Sequence, residues 1–62
     1  RGPRPLEELA TTTNGRRFLR LAQIEIAKGN HPAALQNLQF ALSMEPDNGA
    51  IKEKIAQFQA QP

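Results

Sequence analysis

Few side chains in this sequence could do chemistry, and their spacing argues against catalysis. His31 is the single histidine and there is no cysteine. A Cys/His zinc set therefore cannot be assembled, and one histidine without a placed nucleophile and acid makes no relay. His31 stands beside Pro32 in the stretch Gly29-Asn30-His31-Pro32, where a cap or surface-turn role is expected. Glu7/Glu8, Glu45/Asp47 and Glu53 give no convergent carboxylate pair for general acid–base work. Gly29 and Gly49 read as helix punctuation, because no glycine-rich phosphate fingerprint surrounds them. The residues imply no enzyme, no cofactor and no metal.

The informative charge is Arg16, Arg17 and Arg20. Three cations in the first turns of a helix oppose its macrodipole, costing a few tenths to about 1 kcal/mol each. Arg16 and Arg20 also repel, being four apart on one face. A solvated surface would tolerate this, and an anion or carboxylate site would use it. Nucleic acid is not the expected partner. No free aromatic accompanies the cations for base stacking, and Glu7, Glu8 and Glu25 dilute the patch that Arg1 and Arg4 would extend.

These residues must be carried by a small unit. The chain has 62 residues and a net charge of +2, and a chain of this size buries only about 60% of its unfolded surface. Without disulfide or metal staples, such folds lean on regular helix packing, on a partner or on a parent protein. No apolar run approaches the ~20 residues of a membrane span, and no export signal is visible. A cytoplasmic or nuclear setting is the weak default. Because residue 1 is Arg, a processed or longer parent chain is expected.

The pattern predicts an all-α chain. Residues 1–14 form an arm with a short helix after Pro5, whose Leu6, Leu9 and Ala10 share one face and could cover the next helix. Thr13 or Asn14 caps a first helix running to about Lys28, with Phe18, Leu21, Ala22 and Glu25 on one stripe. Gly29 closes it in the left-handed region, and Pro32 opens a second helix capped by His31. Ala34, Leu35, Leu38, Ala41 and Leu42 make that helix's apolar face, and Pro46 stops it at or before Glu45. The small residues Ala22, Ala34 and Ala41 allow close approach, with Phe18, Leu21 and Leu38 filling the remaining space. Met44 is assigned to the core.

The order Phe18, Leu21, Ala22, Gly29, Ala34, Leu38, Ala41, Pro46 resembles a tetratricopeptide repeat over residues 15–48. Glu25 departs from it, standing where that family has tyrosine or another large apolar residue. The resemblance implies a scaffold-type module that binds a peptide or partner protein through the concave face of its first helix, with Arg16, Leu19, Arg20 and Gln23 facing the groove. Arg16 and Arg20 are also similar to the cations with which co-chaperone members of the family hold C-terminal carboxylates, so an acidic peptide is one expected ligand.

Asn14-Gly15 recurs as Asn48-Gly49, 34 residues on, and Leu21-Ala22-Gln23-Ile24 echoes as Ile55-Ala56-Gln57-Phe58. Residues 49–62 therefore read as a capping helix that lays Ile51, Ile55 and Phe58 on the second helix and turns a polar face outward. One repeat and a cap leave a face open. Leu6, Leu9, Ile24 and Ile26, together with Leu19, are candidates for an interface with another repeat, a second copy or a partner. The alternative function is thus structural: the end of a helical array that assembles a larger complex through its apolar open face.

Overall fold

The computed structural model describes residues 4–60; Arg1 of the arm, and Gln61 and Pro62 of the capping segment, lie outside them. A short 3-10 helix, Leu6–Leu9, leads into α1 (Thr13–Ala27), α2 (His31–Met44) and α3 (Gly49–Ala60). Helix α1 pairs with α2 as an antiparallel hairpin. The 3-10 helix packs on α1, and α3 packs on α2. No strand occurs among the described residues.

The hairpin's turn follows from one glycine. Gly29 has φ of +77°, a region that costs other residues strain. With Gly29 so placed, its N–H donates to Ile26 O at 3.0 Å and the Asn30 N–H donates to Glu25 O at 2.9 Å. These two bonds satisfy carbonyls that the end of α1 would otherwise orphan. Helix α2 then starts at once, with Pro32 in its first turn. Its cap is Asn30, whose side chain accepts from the Ala33 N–H at 3.4 Å. The expected cap, His31, instead lies inside the first turn, with its ring stacked on Phe58 of α3 at 4.0 Å between centroids.

Ala22, Ala34, Ala41 and Leu38 are fully buried between the helices. Small side chains at the crossing let the backbones approach, as their spacing predicts. Two core assignments need correction. Leu21 is 43% exposed and Met44 is 44% exposed. The large side chain of α1 that is fully buried is Leu19, in one cluster with Leu6 and Ala10. Leu19 and Leu21 are two apart, about 200° around a helix, so they cannot both face inward. The 3-10 helix decides between them by covering the Leu19 side.

A single carboxylate ties the pieces together. Glu45, just after α2, is buried. Its Oε2 accepts from the Thr12 hydroxyl at 2.6 Å and the Thr12 N–H at 2.8 Å; the Thr11 N–H at 3.0 Å and the Thr11 hydroxyl at 3.1 Å reach Oε1. Asn48 Nδ2 donates to Glu45 Oε1 and to Leu9 O, both at 2.8 Å. Thr12 in turn caps α1 by accepting from the Gly15 N–H at 2.9 Å, and Asn48 caps α3 by accepting from the Ile51 N–H at 3.1 Å. Helix α1 thus begins earlier than expected, capped by Thr12 rather than by Thr13 or Asn14. The first cap is oriented by a carboxylate from the far side of the hairpin.

Candidate interaction surface

Of the four residues expected to line a groove, Arg16 and Arg20 border one cleft with Thr13 and Arg17, and Leu19 does not join them. Arg16 and Gln23 are exposed. Leu19 is fully buried and cannot select a ligand's side chain. Arg20 is engaged within the chain, its Nε 2.8 Å from Glu7 Oε1. That hydrogen bond holds the Glu7 carboxyl below its ordinary value. The 3-10 helix lies on the side of α1 that a groove ligand would have used. Leu6 is likewise consumed by the chain's own core, and Leu9 and Ile26 pack against it. Of the residues assigned to an open interface, Ile24 is the one left largely exposed, at 47%.

A different surface takes its place. The exposed large hydrophobic residues are Leu21 and Ile24 on α1, and Phe40 and Met44 on α2. Phe40 meets α1 through an aromatic pair, its ring 5.3 Å from that of Phe18 with a 45° tilt, while Met44 also lines a cleft with Leu9, Thr11 and Thr12. Leu21 follows Phe18 by three residues and Met44 follows Phe40 by four, which keeps each beside its aromatic neighbour on the helix surface. Phe40 was legible in principle: it lies two residues past Leu38, hence about 200° from the buried stripe. Helix α2 also carries no Asp, Glu, Lys or Arg over its whole length. A solvated helix face usually carries charges.

Glu25 borders this surface. Its Oε2 lies 3.5 Å from Lys28 Nζ, while its Oε1 is buried with no hydrogen-bond partner. A buried acceptor left unsatisfied costs about 1–3 kcal/mol, and the Lys28 contact is exposed and weak. Glu25→Leu should therefore stabilise the chain, by about 0.5–2 kcal/mol. Urea unfolding followed by circular dichroism measures this, and a lower midpoint would show that the carboxylate is needed.

Among the described residues, no group of His, Cys, Asp and Glu is placed to hold a metal ion, and no helix is long and apolar enough to cross a membrane. Comparison with family models, with curated proteins and with solved structures finds no match for this chain.

Proposed function

We propose that the chain is a non-catalytic protein-binding module, a helical end-piece that joins a larger assembly through the Leu21, Ile24, Phe40 and Met44 face. One observation carries this reading. Helix α3 buries Ile51, Ile55 and Phe58, and α1 carries Arg17, Leu21 and Ile24 at positions 34 residues earlier. Leu21 and Ile24, at the positions matching Ile55 and Phe58, thus stand more than two-fifths exposed among the described residues, with Arg17 at the position matching Ile51. The tetratricopeptide-like order of residues 15–48 agrees with this, since repeats of that kind bury such stripes against neighbours. The groove-binding alternative is less favoured, because Leu19 is buried and Arg20 is bonded to Glu7.

The paired change Leu21→Ser with Ile24→Ser tests the proposal. Both side chains are about half exposed, so folding should weaken by about 1–1.5 kcal/mol per site. Association with the assembly should be lost. Sedimentation velocity reads the second effect and thermal unfolding the first. Should the pair destabilise the isolated chain as two core truncations do, by about 4 kcal/mol or more, the face belongs to the fold and the reading fails.

A further inference from the structure

We infer that the α1 part of this surface receives an amphipathic helix from another protein, one that carries carboxylates flanking its apolar residues. The inference rests on the docking reading above and specifies its partner.

Arg17, Leu21, Ile24 and Lys28 fall at i, i+4, i+7 and i+11. At 100° per residue they lie within about 60° of one another. The stripe is two exposed aliphatic side chains between two cations, the cations about 16 Å apart along the axis. Arg17 has no carboxylate within 4.0 Å among the described residues. Lys28 touches Glu25 Oε2 at 3.5 Å, which leaves ammonium donors to spare. Arg16 lies about 100° from Arg17 around the helix, outside the stripe. Among the described residues Glu25 is the carboxylate bordering the stripe, and its side chain is mostly buried, with only a weak contact to Lys28.

Charge disfavours the simplest occupant, a second copy paired through α1. An antiparallel pairing centred between Leu21 and Ile24 sets Arg17 against the partner's Lys28. A parallel pairing sets each cation against itself. Like charges so placed repel. Nor can a second copy's α2 supply carboxylates, because α2 has none. A nucleic acid would satisfy the cations but leave Leu21 and Ile24 unused. The stripe itself carries no aromatic side chain on which a base could stack. A foreign helix with acidic residues four positions outside a Leu-x-x-Leu pair matches both the apolar centre and the cationic ends.

The test titrates the full chain with three synthetic helical peptides. Each bears Leu-x-x-Leu, flanked four residues out on both sides by Glu, Gln or Lys. The Glu peptide should bind about threefold to tenfold tighter than the Gln peptide, and the Lys peptide weakest of all. The Glu advantage should shrink as salt rises and fall by about half, on a logarithmic scale, in Arg17→Gln. Equal binding of the Glu and Gln peptides would overturn the charge assignment while leaving the docking face standing. Binding unaffected by Leu21→Ser with Ile24→Ser would overturn the docking reading itself. The inference also fails if the Glu peptide shows no binding, if a dimer forms that the serine pair dissolves, or if an oligonucleotide binds in place of the peptides.

Discussion

Glu45→Ala is expected to remove about 2–4 kcal/mol of folding stability, about a fifth or more of the roughly 3–9 kcal/mol that a domain of 62 residues has. The lost side chain leaves donors from Thr11, Thr12 and Asn48 without their acceptor. Both caps that these residues provide, at α1 and α3, lose their orientation together. Glu45 lies just beneath the surface, where water screens part of the interaction, so the loss stays below that of a deeply buried ion. Glu45→Gln separates charge from shape. It keeps one acceptor oxygen but turns the other position into a donor that faces donors, so it should retain the fold and lose about 1.5–3 kcal/mol.

The same carboxylate sets the acid sensitivity of the fold. The Thr12 hydroxyl, helped by the Thr11 N–H, Asn48 and the Thr12 N–H, holds the Glu45 carboxyl well below its ordinary value near 4.5, against the opposing pull of burial. The unfolded chain therefore takes up the proton at higher pH than the folded chain, and stability rises with pH across that interval. The contribution is complete above about pH 4.5, is lost progressively as pH falls, and vanishes only below the folded value. Urea midpoints measured from pH 7 down to pH 2 should fall with acid in the native chain and much less in Glu45→Gln. A residual slope will remain, because Glu7 is shifted the same way by Arg20. Identical slopes in the two proteins would remove Glu45 from the account.

The sequence shows the hairpin more readily than it shows Glu45, and the reason is range. Gly29, Pro32 and the alanines 22, 34 and 41 act on near neighbours or through the helical period, so their roles can be read along the chain. Glu45 acts on Thr11 and Thr12, 34 and 33 residues away, and Asn48 on Leu9, 39 residues away. Along the sequence, Glu45 is only the residue before a proline. Asn48 was visible as part of an echo with Asn14, yet the two differ in role: Asn48 caps α3, whereas Asn14 sits inside α1 behind the Thr12 cap. The surface was half legible. The pattern leaves Ile24 open and offers Leu6, Leu9 and Ala10 as a cover for α1, as in the structure, but it puts Leu21 inward because spacing alone does not show that this cover takes Leu19.

Gly15→Ala is the sharpest consequence of that network, because the sign of its effect should depend on a residue 30 positions away. Alanine is the better helix former by about 1 kcal/mol, so on propensity alone the change inside α1 would stabilise. A Cβ at Gly15, however, would run into Glu45 Oε2, and would lie 2.8 Å from Thr12 Oγ1 and 3.1 Å from Ala10 Cβ. The carboxylate could swing aside, since it ends a flexible side chain, but only by releasing the Thr11 and Thr12 donors. The cost is thus the loss of those bonds more than the collision itself. Gly15→Ala should destabilise the native chain by about 2–3 kcal/mol net. In the Glu45→Gln background, where the bonds are already weakened, the cost should fall below about 1 kcal/mol. With Glu45→Ala, the carboxylate is gone and the remaining contacts can relax, so the change should be neutral or stabilising. A double-mutant cycle by urea unfolding measures the coupling. If Gly15→Ala costs the same in all three backgrounds, the glycine is not there to make room for the carboxylate.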